Sequence, residues 1–328
     1  MPTMIQVDNV TKYFGPILAV DHVSFEVDEG EIVGFLGPNG AGKTTTLRIL
    51  TSYLPATSGK AKVAGFDVMN HSLEVRRHIG YLPESVPLYP EMRVEEYLSY
   101  RAKLKGIERR VRRQRIEYCL ERCRIREVRR RLIGTLSKGY RQRVGLADAM
   151  VHDPEILILD EPTVGLDPVQ IRETLALIKE LGTKRTILLS THILSEVEAI
   201  CRRVIIIASG RVSFDQPISA LEGRTIRLEA KGPAEEIRRV LAEIKEVEEI
   251  TPVPVGDGVA GFEIQSDGGR DIREEISRRL AEKNVIIRQL TLRPKKLEDV
   301  FFQVVRQMNP LESQPTPTTD EESNDVDE

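Results

Sequence analysis

Eight residues near the start of the chain, Gly37-Pro38-Asn39-Gly40-Ala41-Gly42-Lys43-Thr44, carry the spacing G-x-x-x-x-G-K-[ST]. Glycines at these places let backbone N–H groups converge on one point, and phosphate oxygens are what such a point holds. A helix opening at the lysine adds the positive end of its dipole. Lys43 can reach the β- and γ-phosphates of a nucleoside triphosphate, and Thr44 offers a hydroxyl to Mg²⁺. A second pair, Asp160-Glu161, closes the apolar run Ile156-Leu157-Ile158-Leu159. At the carboxyl end of a buried strand, Asp160 can hold Mg²⁺ through water. Glu161 then stands where a carboxylate could polarise an attacking water, a role worth about 10²–10⁴-fold in rate. The competing reading of the first motif is a chance glycine turn. That of the second is a strand end capping a helix.

Both motifs need a particular scaffold. The runs at 32–36, 79–82, 156–160, 186–190 and 204–208 read as buried strands, and 44–52 and 168–181 as helices. Buried strands followed by helices predict an α/β domain with a largely parallel sheet over residues 4–218. The opening stretch, 5–27, alternates as an antiparallel edge would. Residues 224–306 read differently: strand 225–230, helix 234–245, strands 247–254 and 259–265, helix 271–283, strand 285–292 and a last helix 297–305. The order βαββαβ plus one helix predicts a small α+β, ferredoxin-like C-terminal domain. The join falls near 216–223.

The 328 residues are 40% apolar and 30% charged, which excludes a disordered or fibrous chain. No apolar run approaches the roughly 18–20 residues of a membrane helix. The start has no basic-then-apolar leader, so no signal peptide is expected. Three cysteines (Cys119, Cys123, Cys201) without a cystine framework fit a reducing compartment. Cys119 and Cys123 stand four apart on a helix face with no completing ligands, and read as structural. The net charge of −3 hides two blocks. Residues 101–131 hold fourteen basic and four acidic side chains, a local +10. Residues 309–328 hold seven acids and no base. The second block, rich in Pro, Ser and Thr, reads as a disordered acidic tail.

Between the two phosphate motifs lies Leu136-Ser137-Lys138-Gly139-Tyr140-Arg141-Gln142-Arg143, and after them come Gly165-Leu166-Asp167-Pro168 and Thr191-His192. In order and spacing these resemble the signature motif, D-loop and switch histidine of the ATP-binding cassette (ABC) family, over about residues 4–218. Each piece also has its own physics. Ser137 is a good N-cap for the helical run after it, and with the Gly139 N–H it makes an anion site, or only a capped helix. His192 directly follows a strand and could bond the γ-phosphate or the water held by Glu161. Lys138 and Tyr140 depart from the common Leu-Ser-Gly-Gly-Gln. Lys138 either adds charge near a phosphate or points to solvent.

The resemblance implies a P-loop ABC ATPase fold, with a RecA-like core, an antiparallel β edge and a helical subdomain at about 85–150. It implies ATP and Mg²⁺ as cofactors. ATP contacts would come from Phe14, as the A-loop aromatic under adenine (with Tyr13 as rival), from Gly37, Pro38, Asn39, Gly40, Ala41, Gly42, Lys43, Thr44 and Thr45, and from Ser137, Gly139 and Asp167. Metal contacts would come from Thr44, Asp160 and Glu84. Glu84 follows Leu82-Pro83 where the family's Q-loop usually carries glutamine; some exporter-type relatives carry glutamate there, and a carboxylate can still ligate Mg²⁺ while adding negative charge beside ATP that could alter metal affinity or coupling. Glu161 and His192 would be catalytic. The implied partners are a second copy, head to tail with Ser137 and Gly139 facing the other subunit's γ-phosphate, and separate ABC-2-type permease subunits. The chain would then sit peripherally at the cytoplasmic face of the inner membrane as an exporter ATPase, most like those associated with gliding motility. The +10 block, in the subdomain that faces the membrane subunits, motivates an alternative: a soluble ABC ATPase acting on ribosomes or nucleic acid. Cargo and the role of the C-terminal domain carry no sequence signal.

Overall fold

The computed structural model describes residues 2–221, 224–256, 258–266, 271–294 and 297–308. The tail expected at 309–328 lies outside these residues. Three sheets organise the chain. The first is antiparallel, in the order β2 (Ile17–Asp28), β1 (Thr3–Phe14), β4 (Ser58–Val63), β5 (Phe66–Asp67). The alternation expected over 5–27 is the β1–β2 hairpin: Ile5, Val7, Val20, Val23, Phe25 and Val27 point inward.

The second sheet runs β10 (Arg211–Pro217), β9 (Arg203–Ala208), β3 (Ile32–Leu36), β8 (Thr186–Thr191), β7 (Ile156–Asp160), β6 (Ile79–Leu82). All its pairs are parallel except β10–β9. Every residue of β3, β7 and β8 is buried, as expected of apolar runs covered on both faces. One face packs on the antiparallel sheet through Val33, Phe35, Ile158 and Leu188. The other packs on α6 (Pro168–Leu181) and α7 (Leu194–Ile200). Parallel strands carry their C-terminal ends to one edge, so Leu36, Asp160 and Thr191 lie side by side across three hydrogen-bonded strands.

Between β6 and β7 the chain inserts α3 (Val94–Leu104), α4 (Arg109–Arg122) and α5 (Lys138–Met150). The basic block lies here, and much of its charge is spent inside the fold. Asp148 on α5 is met by Arg101 at 3.0 Å and Lys105 at 3.1 Å. Arg129 bridges Glu95 and Glu117, and Arg115 donates to the carbonyls that end α5. Cys119 and Cys123 are buried, and burial pushes the Cys119 thiol up to about 11, which leaves it protonated and inert.

The third sheet is antiparallel, in the order β12 (Val247–Val253), β13 (Val259–Ser266), β11 (Arg224–Lys231), β14 (Ile286–Pro294). Its own core joins Ile226, Leu228 and Ile264 to Ile237 and Leu241 of α8 (Ala234–Ala242) and Ile276 and Leu280 of α9 (Arg273–Glu282). The last helix, α10 (Leu297–Met308), differs from the sequence reading, which assigned it to this unit. Its Leu297, Val300 and Val304 pack in the core of the first unit, against β9 and α7. The β strands 224–294 already close their apolar face with two helices, so α10's apolar stripe finds its cover elsewhere. Among the described residues no helix is long and apolar enough to cross a membrane.

Leu297 is 2% exposed. We expect Leu297→Ala to destabilise the first unit by about 2–5 kcal/mol, as core truncations do. Hydrogen exchange of the full chain checks the placement: β9 amides should exchange faster, while β11 and β13 amides stay protected.

Candidate active site

The phosphate loop leaves β3 at Leu36 and enters α1 (Lys43–Leu50). Two of its glycines are required by contact. A Cβ on Gly37 would collide with the Ile207 carbonyl, and one on Gly42, at φ 100°, with the Ala19 carbonyl. Lys43 is 6% exposed, and its three ammonium protons have three acceptors: Gly37 O at 2.7 Å, Pro38 O at 3.1 Å and Glu161 Oε1 at 3.3 Å. Asn39 and Gly40 form the exposed tip, Ala41 is buried, and Thr45 is half-buried on α1.

Across the sheet edge, the Thr44 hydroxyl donates to Asp160 Oδ1 at 3.3 Å. Burial pushes the Asp160 carboxyl above its usual range; the Thr44 bond opposes this, while the Glu161 and Glu84 charges push the same way. Asp160 thus lies in the field of two further carboxylates, of which Glu161 pairs with the buried Lys43 ammonium. Such a site favours a cation, and Thr44 and Asp160 are the residues whose oxygens could hold Mg²⁺ beside substrate phosphates. Glu84 is exposed just past β6 and enters through its charge. Tyr81 on β6 escaped the sequence reading; its buried phenol, in the field of Asp160, is pushed up to about 12.

Glu161 is 6% exposed and holds a left-handed backbone at φ 49°. A non-glycine residue persists there only where neighbours fix it. Its N–H bonds Ser190 O at 3.0 Å, and its Oε2 meets His192 Nδ1 at 2.9 Å. Where Glu161 accepts in this bond, His192 is the tautomer that carries its proton on Nδ1. Lys43, Thr44, Asp160, Glu161 and His192 are therefore one connected set. Beside it stands a network with no sequence signal. Glu196 on α7 is 2% exposed and accepts from Thr163 Oγ1 at 2.5 Å and Thr191 Oγ1 at 2.7 Å. A glutamate in the first turn of a helix reads as solvent-facing, favoured by the dipole.

The remaining expected contacts lie elsewhere. Ser137 caps α5, accepting from Tyr140 N at 3.4 Å, and Gly139 is packed so tightly on Gln170 that a Cβ would strike its amide. Lys138 is exposed with its ammonium against Gly165. Asp167 caps α6, accepting from Val169 N at 3.0 Å and Gln170 N at 2.9 Å. Among the described residues, Ser137, Gly139 and Asp167 make no hydrogen bond to the phosphate loop. Phe14 ends β1 with its ring 44% exposed and the Lys12 ammonium 5.1 Å from its centroid; Tyr13 and Ile17 are exposed beside it. This is an open apolar platform of the kind a base stacks on.

A glycine loop and a strand-end carboxylate pair at the edge of a parallel sheet, with a buried lysine between them, define a P-loop nucleotide-hydrolysing enzyme. The family model described as ABC transporter matches residues 20–164. The bacitracin transport ATP-binding protein BcrA of Bacillus licheniformis is 40% identical over 226 residues, covering 68% of this chain and 73% of that one. The uncharacterised ABC transporter ATP-binding protein YxlF of Bacillus subtilis is 34% identical over 304 residues, 92% and 99% of the two chains. Among solved structures, an ATP-binding subunit of an ABC transporter matches at TM-score 0.62 and 31% identity, over 67% of this chain and 92% of that one. A dimeric bacterial ABC transporter cassette matches at TM-score 0.60 and 27% identity, over 66% and 99%. The same cassette in a post-hydrolysis state bound to ADP and Pi matches at 0.60 and 26%, over the same shares. The chain belongs to the ABC transporter ATP-binding family and is an ATP-binding ATPase subunit.

The raised pKa of Asp160 has a sign. Its folded carboxyl lies above the unfolded one, so folded chain binds the extra proton, and stability present at low pH is lost as pH rises through the folded pKa. At neutral pH Asp160→Asn should therefore raise the thermal midpoint of the nucleotide-free chain while abolishing Mg²⁺-dependent nucleotide affinity. Thermal melts across pH 4–8, with and without Mg-ATP, check both.

Proposed function

We propose that this chain is the ATP-hydrolysing subunit of an ABC-2-type exporter, working as a head-to-tail pair on separate permease subunits at the inner face of the cell membrane. Within that type, the runs 136–150 and 164–170 are most like gliding-motility exporter ATPases. The observation that carries the enzymatic part is the connected set Lys43–Glu161–His192 beside Thr44–Asp160.

In this reading the phosphate oxygens of ATP take the place of the Gly37 and Pro38 carbonyls on Lys43. Phe14 lies under the base. Thr44 and Asp160, with the Glu84 charge nearby, would hold Mg²⁺, and the ion would supply charge neutralisation for the phosphates. Glu161 accepts the proton of the attacking water, and His192, anchored through Nδ1, presents Nε2 to the water or the γ-phosphate. The Gly37–Thr45 backbone orients the phosphates. Ser137, Gly139 and Asp167 serve across the pair: both α5 and α6 begin at side-chain-capped ends, and these face each other through Gly139 and Gln170. Catalysis is positioning plus charge stabilisation.

The domains follow as 4–218 for the ABC unit, with its helical subdomain at about 85–150, and 224–306 for an accessory unit with assembly or regulatory duty, from which α10 departs as described. The sheet order β12-β13-β11-β14 with both helices on one face supports a ferredoxin-like identity for that unit. The nucleic-acid alternative loses ground, because Arg101, Lys105, Arg115 and Arg129 serve internal partners. Arg109, Arg113 and Arg130 line one cleft of about 870 Å³ between α3 and α4, a size suited to a docking segment of a partner protein.

Glu161→Gln should bind ATP with near-normal affinity, lose about 10²–10⁴-fold in hydrolysis and accumulate as an ATP-bound dimer on size exclusion. Normal turnover in that variant removes Glu161 as the base. Neutralising Arg109, Arg110, Arg112 and Arg113 together should weaken co-purification with the permease and spare ATP hydrolysis by the isolated chain; undiminished co-purification would make the block a solvated helix face.

A further inference from the structure

We propose that Glu196 is a positioning residue for hydrolysis, whose buried carboxylate fixes Glu161 and His192 relative to each other. The proposal rests on the roles given to those two residues above.

Glu161 and His192 stand at the ends of different strands, β7 and β8. Their side-chain bond of 2.9 Å sets a distance but not an orientation. Orientation must come from the two backbones, and each is tied to Glu196. Thr163, two residues after Glu161, donates its hydroxyl to Glu196 Oε1 at 2.5 Å. Thr191, directly before His192, donates to Oε2 at 2.7 Å and accepts from Ile193 N at 3.0 Å. With the Glu161–His192 bond, these contacts close a ring through Glu161, Thr163, Glu196, Thr191 and His192. Thr163, Thr191 and Glu196 are 1%, 0% and 2% exposed, so water does not compete for the bonds.

The chemistry of the ring selects a carboxylate. Both of its oxygens accept at once, which two donating hydroxyls require. An amide offers one acceptor and one donor. A carboxylate only accepts, so the Thr191 proton goes to Glu196 while the Thr191 oxygen accepts from Ile193 N; a glutamine there satisfies one arm and leaves the other reversed or unmade. The ring also reaches beyond the site. Leu166 N bonds Thr163 O at 3.1 Å, so the loop toward Gly165 and Asp167 starts from the clamped residue. Whatever displaces that loop acts on Glu161 through the same carboxylate.

The test uses the full chain, with steady-state ATP hydrolysis, fluorescent-nucleotide affinity and thermal melts. Glu196→Ala should lower kcat by about 10²-fold, the size of loss a misplaced catalytic group produces. Glu196→Gln and Thr163→Val, which keep the shape, should each lower kcat by about tenfold while Kd for nucleotide stays within about twofold, because the interaction acts on the transition state alone. Thr163→Ser, which keeps the hydroxyl, should restore turnover to within about twofold of the parent. On a Glu161→Gln background, Glu196→Gln should cost nothing further, since groups acting as a unit are not additive. Parental kcat in both Glu196→Gln and Thr163→Val, or a full additional loss on the Glu161→Gln background, overturns the proposal. Normal turnover in Glu161→Gln alone is a separate result that overturns the general-base reading.

Discussion

A buried ammonium between a glycine loop and a strand-end carboxylate organises this molecule. Lys43 and Glu161 are both about nine-tenths or more buried, and either charge alone would be costly. The pair persists because Lys43 also holds two loop carbonyls and Glu161 also holds His192. That arrangement sets demands on everything around it. The strands must be parallel, so that β3, β7 and β8 end together. They must be covered on both faces, so that the pair stays dry. The glycine loop must approach Ile207 and Ala19 closer than any Cβ permits. The antiparallel sheet on one side and α6 and α7 on the other are the covers that meet these demands.

What the sequence made legible is local. The phosphate loop, the Asp160-Glu161 pair and the α5 N-cap at Ser137 are each decided within a few residues, and buried parallel strands announce themselves as apolar runs. The misses are matters of long-range partnership. The pattern of α10 gives an apolar stripe but not the surface it covers, and nearness in the chain points to the wrong unit. Glu196 is hidden for the same reason: its partners are thirty-three residues away at Thr163 and five away at Thr191, and nothing in Leu-Ser-Glu-Val-Glu tells a buried glutamate from the exposed Glu198.

Charge shows the same limit from the other side. A net −3 conceals a +10 block, and the block in turn conceals a division of labour. Arg101 and Lys105 converge on Asp148, where burial pushes the Lys105 ammonium down, the opposing Asp148 charge pulls it up, and Asp148 in turn is held below the usual carboxylate range despite its own burial. These residues join α3 to α5 as a structural ion cluster. A count of basic residues therefore overstates the surface charge offered to any partner.

The placement of α10 links these parts. The C-terminal sheet unit leaves the first unit after β10 and returns to it through α10, so it is fastened at both ends. The helix it returns to, α7, is the one that carries Glu196. Val197 and Ile200 of α7 lie in the same core cluster as Leu297, Val300 and Val304. The short helix bearing the carboxylate between Thr163 and Thr191 thus shares its packing with α10, the element to which the chain returns after the C-terminal sheet.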